Sequence, residues 1–201
     1  MTRHRHVDGN TGLRERLDTA FIGSPSAHEV LFVGDPGIGK TTAVRTLATH
    51  EPINTEAAMS VPDGEKTTVT VGIDFGLWED SPFGVVGLFG SPGHERFSRS
   101  RSMLANPSAG VVLWVYGDDS DEGLVNQVRY WAQAVESLAS RGVVAINFAT
   151  EGALDRARSA MAELGLEQVP VMTADPRFNA DVVTVASAAI ERSMSAQEDE
   201  E

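Results

Sequence analysis

Residues 34–41 read Gly34-Asp35-Pro36-Gly37-Ile38-Gly39-Lys40-Thr41 and fit the pattern G-x-x-x-x-G-K-[ST] without a gap. The apolar run 30–33 before this stretch predicts a buried strand, and residues 40–50 predict a helix directly after it. A glycine-rich turn between a strand and a helix lets backbone N–H groups converge on phosphate oxygens, where the helix N-terminus adds positive potential. The stretch therefore predicts a phosphate-binding loop.

Each member of this loop has an expected role. We expect Lys40 to reach the β- and γ-phosphates, both in binding and in catalysis, and the hydroxyl of Thr41 to ligate Mg²⁺. Thr42 could donate to the α-phosphate. Pro36 has no N–H and a preset φ, and we expect it to leave binding intact. The other residues expected to contact the nucleotide in this loop are Asp35, Gly37, Ile38 and Gly39.

Strand and helix patterns alternate along the rest of the chain. Apolar runs or alternations predict six strands, at 30–33, 69–75, 85–89, 111–116, 143–148 and 169–172. Helical patterns occur at 13–22, 40–50, 95–105, 121–141, 151–165 and 178–194. This order predicts an α/β fold, a P-loop NTPase with a six-stranded, mostly parallel sheet and helices on both faces. Only the second and third strands are joined without a helix, so that pair is expected to be antiparallel.

The chain of 201 residues is expected to have one main domain at 28–194, after an N-terminal extension at 1–27 with a short helix. Residues 195–201 are expected to form an acidic, disordered tail, and the order of 51–66 is left open. The absence of cysteine excludes disulfides, thiolate zinc sites and prenyl or palmitoyl anchors.

The composition also limits the expected partners and location. The net charge of −13 argues against a nucleic-acid partner, because phosphate backbones need a basic face. No apolar run approaches the roughly 20 residues of a membrane span, so we expect no direct membrane insertion. The cytoplasm is the expected location.

Two further segments resemble the switches of small GTPases. Thr70-Val71-Gly72-Ile73-Asp74-Phe75 is similar to the T-I-G-x-D-F segment that follows the first switch of Rab-type GTPases. Gly90-Ser91-Pro92-Gly93-His94-Glu95-Arg96-Phe97 is similar to the second switch, D-T-A-G-Q-E-R-F. In this order after the phosphate loop they resemble a Ras-like G domain over roughly 28–192, in particular the bacterial small GTPases of the actinobacterial conservon type, relatives of the gliding-motility GTPases.

The resemblance implies a switch that binds GTP and GDP with Mg²⁺ and hydrolyses GTP slowly. Thr70 would ligate Mg²⁺ and bond the γ-phosphate through its N–H, and Gly93 N–H would hold that phosphate from the opposite side. His94 stands where a glutamine orients the attacking water, as the histidine of D-x-P-G-H does in translational GTPases, unless it is a plain exposed loop histidine.

The implied partners are a Roadblock/LC7-type regulator and a downstream effector protein. They would belong to a module with a sensor-kinase-like membrane protein, so the chain could also be peripheral to the membrane through a partner.

Three positions depart from the small-GTPase pattern. Gly90 replaces the aspartate that holds Mg²⁺ through water, which should weaken Mg²⁺ binding. Asn147-Phe148-Ala149-Thr150 stands in place of N-K-x-D. Asn147 fits that motif, but Thr150 cannot offer guanine a paired carboxylate, and Phe148 either stacks on the base or ribose or is an ordinary core phenylalanine. Thr173-Ala174-Asp175 replaces S-A-K, where Ala174 N–H could still donate to guanine O6 and keep some preference for GTP.

Two alternatives stay open. A P-loop ATPase or small kinase would use 111–116, followed by Asp118, as the apolar strand with an Mg²⁺-linked aspartate. A pseudo-GTPase would bind nucleotide without turnover, and the residues Gly90 and Thr150 are compatible with that.

Overall fold

The computed structural model describes residues 26–59, 69–91, 109–118, 120–135 and 137–199, with the backbone alone at 54–59 and 69–73. The helices predicted at 13–22 and 95–105 lie outside these described residues. Within them, no helix is long and apolar enough to cross a membrane.

One sheet of seven strands organises the described residues. The strands are β1 (His28–Gly34), β2 (Ile53–Met59), β3 (Val69–Trp78), β4 (Val86–Gly90), β5 (Gly110–Tyr116), β6 (Gly142–Asn147) and β7 (Val171–Thr173). Their order is β2-β3-β4-β1-β5-β6-β7. β1 pairs in parallel with β4 and β5, and β6 pairs in parallel with β5 and β7. β3 pairs antiparallel with β2 and β4.

The predicted fold class is confirmed, and so is the antiparallel pairing of the second and third predicted strands. All six predicted strands are present, and β2 adds a seventh inside the stretch 51–66. The sequence of β2, INTEAAM, lacks a clear apolar alternation. An antiparallel ladder is made by backbone groups, so an edge strand of this kind leaves little trace in the sequence.

Five helices are described: α1 (Lys40–Leu47), α2 (Asp121–Ala134), α3 (Leu138–Arg141), α4 (Ala153–Glu163) and α5 (Asn179–Glu198). The single helix predicted at 121–141 is wrong in one respect, because it is interrupted at Val135, whose φ of −114° and ψ of 87° are not helical. Leu138 begins the short helix that follows and leads directly into β6.

The predicted disordered tail also needs correction, because α5 continues to Glu198. Ser195 Oγ donates to Glu191 O over 3.1 Å, and Asp199 N–H donates to Ser195 O over 3.3 Å. Alanine, glutamine and glutamate, which follow Ser195, are good helix formers, so acidity alone did not predict disorder here.

The sheet is buried on both faces. Along β5, Val112 and Trp114 belong to a core cluster that includes residues of α1 and α5. Val111, Leu113 and Val115 point the other way, into a cluster with residues of α2 and α4. Parallel strands covered on both faces place their carboxyl ends at one edge of the sheet, where ligands usually bind. The loops after β1, β5, β6 and β7 meet there.

Candidate functional site: the phosphate loop and its neighbours

The loop between β1 and α1 has a positive φ at three glycines, Gly34, Gly37 and Gly39, and at two of them a side chain would also collide with a neighbour. Gly34 ends β1 with φ of 138°, and a Cβ there would lie 2.3 Å from the carbonyl oxygen of Trp114. Gly39 precedes α1 with φ of 114°, and a Cβ there would lie 2.4 Å from Cγ of Pro176. The predicted motif is therefore a compact turn between strand and helix, packed against the loop after β7.

Lys40 starts α1 and folds back over this turn. Its Nζ donates to Gly34 O over 2.9 Å and to Asp35 O over 2.8 Å, and the residue is only 7% exposed. Burial lowers the pKa of Lys40 to about 8, although the Asp35 and Asp74 carboxylates act in the opposite direction. The ammonium is thus held in place by neutral carbonyls, and an anionic ligand at the loop would stabilise its charge.

Three side chains from other elements hold the loop from outside. Asn147 Nδ2, at the end of β6, donates to Ile38 O over 2.8 Å. Tyr116 Oη, at the end of β5, donates to Pro36 O over 2.9 Å, and burial is the main cause that raises its pKa. Trp131 Nε1 of α2 donates to the carboxylate of Asp35 over 2.9 Å. These three bonds tie the loop to β5, β6 and α2.

Thr41 has a carboxylate partner from β3. Its hydroxyl donates to Oδ2 of Asp74, which faces Gly90 across the antiparallel β3–β4 pair. A Cβ at Gly90 would lie 3.2 Å from that same Oδ2. Asp74 was not predicted as a site residue. The available signal was an aspartate inside T-V-G-I-D-F on a strand expected to pair with the one that ends in Gly90.

Hydroxyl and carboxylate oxygens are the ligands that Mg²⁺ prefers, and this ion usually takes only one or two protein groups besides phosphate and water. Thr41 and Asp74 fit that requirement. Within the described residues no group of three or more His, Cys, Asp or Glu could hold a metal ion.

The segment after β6 forms the side of the site where a base is expected. Phe148 has φ of 53°, is half exposed, and stacks on Tyr116 with ring centroids 6.0 Å apart and an interplanar angle of 7°. Its N–H donates to Asn147 Oδ1 over 2.8 Å. Asn147 thus connects the phosphate loop and the aromatic pair, and the ring of Phe148 remains accessible.

Two groups expected to contact the base make other bonds in this structure. The hydroxyl of Thr150 donates to Gly117 O over 2.7 Å, which turns it toward the loop after β5. Ala174 follows Thr173, the last residue of β7, and its N–H donates to Ile146 O over 3.0 Å. A bonded N–H has no second proton for a purine carbonyl. Guanine would therefore find fewer free partners here than the sequence pattern suggested.

The remaining predicted site residues are only partly described. Thr42 lies half-buried in the first turn of α1. Thr70 lies in β3 with its backbone opposite Ala58, and its side chain is outside the described part. Gly93 and His94 lie outside the described residues, so their roles stay predictions.

No protein-family model and no curated protein matches the chain. Among solved structures, the G domain of the T. maritima FeoB iron transporter superposes with a TM-score of 0.54 at 16% identity, covering 82% of this chain and 98% of that domain. A mutant of S. thermophilus NFeoB bound to GDP gives a TM-score of 0.56 at 19% identity, covering 85% of this chain and 63% of that one. The cytosolic domain of L. pneumophila FeoB gives a TM-score of 0.51 at 15% identity, covering 82% of this chain and 64% of that one.

Identities this low show the fold, which is the P-loop NTPase fold of these G domains. The chain spans nearly all of the isolated T. maritima G domain and somewhat under two thirds of the longer S. thermophilus and L. pneumophila chains. The narrower likeness to conservon-type GTPases stays a prediction.

Proposed function

We propose that this chain is a cytoplasmic, GTP-binding molecular switch with slow, Mg²⁺-dependent GTP hydrolysis. The observation that carries the proposal is the buried ammonium of Lys40, held over a glycine turn by Gly34 O and Asp35 O. A desolvated cation beside converging N–H groups and a helix N-terminus favours a polyphosphate over other ligands.

Lys40, Thr41 and Asn147 have different roles in the proposed binding of the phosphates. Lys40 exchanges neutral carbonyl partners for phosphate oxygens, which compensates the cost of its burial. The hydroxyl oxygen of Thr41 would hold Mg²⁺, which would offset the charge on the β- and γ-phosphates. Asn147 keeps the loop in place through Ile38 O, so that little order has to be gained on binding.

Guanine is the proposed base, with modest selectivity. A structure of the same fold solved with bound GDP supports guanine. The bonds already made by Thr150 and by the Ala174 N–H support the weak selectivity. Phe148 supplies an exposed ring for stacking on the base or ribose, which tolerates either purine.

The switch itself would use the γ-phosphate contacts predicted for Thr70 and Gly93, with His94 aligning the attacking water. Loss of the γ-phosphate would release both segments, and a Roadblock/LC7-type regulator and an effector would respond to that change. Contact with the membrane would come only through such a partner.

The test is to extract nucleotide from the purified chain and then follow single turnover of GTP and ATP with Mg²⁺, with and without the regulator. Slow GTP turnover, faster with the regulator, is the expected result. Preference for ATP would support an ATPase instead, although the carboxylate bonded to Thr41 comes from Asp74 and not from the Asp118 that this alternative would use. Binding without turnover under all conditions would support a pseudo-GTPase.

A further inference from the structure

We propose that Asp74 supplies, from β3, the Mg²⁺-linked carboxylate that is missing at Gly90 on β4. The inference rests on the proposed function and names a positioning residue for it. A glycine at position 90 should by itself weaken the Mg²⁺ site, because second-shell carboxylates orient the ligands of a metal. The neighbouring strand offers a replacement.

The two positions are exchangeable because they face each other. Asp74 and Gly90 are partners in the antiparallel ladder of β3 and β4. Directly opposed residues of such a pair are neighbours on the same face of the sheet, so a carboxylate on either one can reach the same place. A Cβ at residue 90 would lie 3.2 Å from both Cβ and Oδ2 of Asp74. The carboxylate of Asp74 therefore fills the space beside Gly90.

The carboxylate is also directed at the right group. Oδ2 of Asp74 accepts the hydroxyl proton of Thr41, the residue expected to ligate Mg²⁺. An ionised carboxylate can only accept, so the bond fixes which way the Thr41 hydroxyl points and leaves the lone pairs of its oxygen for a cation.

The exchange favours glycine at position 90. A Cβ there would make a tight contact of 3.2 Å with Asp74 and an ordinary contact of 3.6 Å with Cγ2 of Val44 in α1. An aspartate at both positions would bring two carboxylates together with one hydroxyl to share, which is costly. We therefore expect a carboxylate at one of the two positions, with glycine at the other, to be needed for normal Mg²⁺ binding.

Four variants test this: Asp74→Asn, Gly90→Asp, the exchange Asp74→Gly/Gly90→Asp, and the control Asp155→Asn, whose residue is exposed in the first turn of α4. The measured quantity is the dissociation rate of fluorescent GDP across a Mg²⁺ titration and in EDTA. We expect Asp74→Asn to raise the Mg²⁺ concentration at the midpoint by about 10- to 100-fold. In EDTA its GDP should dissociate no faster than from the wild type, because a negative charge near the phosphates has been removed.

The exchange variant should recover most of the Mg²⁺ response, and the Asp155→Asn control should match the wild type. Gly90→Asp alone should melt at a lower temperature than the wild type. An unchanged Mg²⁺ midpoint in Asp74→Asn overturns the inference, and so does GDP dissociation that is accelerated equally with Mg²⁺ and in EDTA. In either case, GDP binding by the wild type still supports the proposed function. A wild-type chain that retains no GDP in either condition contradicts the proposed function, and this inference with it.

Discussion

The side-chain amide of Asn147 donates to the carbonyl oxygen of Ile38 over 2.8 Å, although the two residues are 109 positions apart. The bond is buried, and it joins the end of β6 to the centre of the phosphate loop. The same side chain accepts the N–H of Phe148 and so fixes the ring expected to stack on the base. Asn147 therefore links the phosphate loop to the aromatic ring on the proposed base side of the candidate site.

Asn147→Ala should destabilise the protein and weaken nucleotide binding. The substitution removes a buried donor from Ile38 O and an acceptor from Phe148 N–H, which should lower the free energy of unfolding by about 1–3 kcal/mol. Urea denaturation of the nucleotide-free protein measures this. Asn179→Ala is the matched control, because the amide of Asn179 makes only an exposed bond of 3.3 Å to Thr46 O. Equal losses in the two variants would contradict the role given to Asn147.

Trp131→Phe should loosen the phosphate loop. Trp131 is fully buried and its indole N–H donates to Asp35 over 2.9 Å, so the change removes one support of the loop and some packed volume. We expect a loss of about 1–3 kcal/mol in unfolding free energy and faster nucleotide release. Trp114→Phe is the matched control, because Trp114 is also fully buried while its indole N–H has no partner among the described residues, so it should lose packing without faster nucleotide release. A Trp131→Phe protein with wild-type nucleotide release would show that Asp35 needs no such support.

Phe148→Ala should weaken binding of nucleotides but not of pyrophosphate. If the exposed ring stacks on the base or ribose, its loss should reduce the binding free energy of GTP by about 1–3 kcal/mol. Calorimetric titrations with GTP and with pyrophosphate separate the base from the phosphates. Phe178→Ala, at an exposed ring directly before α5, is the matched control. Equal weakening for both ligands would place Phe148 in support of the loop and not in the base site.

His94→Ala should slow hydrolysis while nucleotide affinity stays near the wild-type value. A residue that aligns and polarises water contributes about 10²- to 10⁴-fold to such a step. Single-turnover hydrolysis of GTP measures it. His50→Ala is the control, because His50 is an exposed histidine outside the candidate site. Its Nε2 lies 3.4 Å from Oε2 of Glu79. Unchanged turnover in His94→Ala would mean that another group aligns the water.

The sequence predicted what is local and missed what depends on pairing between distant segments. The phosphate loop is one continuous motif, and its strand, turn and helix follow from residues 30–50 alone. Tyr116 and Trp131 reach the loop from 80 and 96 positions away, where the sequence shows only an aromatic residue at a strand end and one on a helix face. The proposed role of Asp74 depends on the β3–β4 register, which places it opposite Gly90 and could not be read from the sequence.

The residues expected to contact the base were predicted from their match to small-GTPase motifs, and the structure shows that their polar groups have other partners. Thr150 and Ala174 stand at the expected places in the chain, yet their polar groups bond to backbone carbonyls. Whether a donor is free or already used depends on its neighbours in space, which spacing along the chain does not reveal.

The most direct test of the account is an equilibrium titration of the nucleotide-free protein with fluorescent GDP in the presence of Mg²⁺, beside Lys40→Ala. Lys40 is the cation that faces the loop carbonyls, so the account predicts saturable binding by the wild type and a loss of at least about 100-fold in the variant, equivalent to the 3 kcal/mol expected for a charge-assisted bond. Circular dichroism shows whether Lys40→Ala is folded. Equal affinity in the two proteins, or no binding by a folded wild type at millimolar nucleotide, would contradict the account.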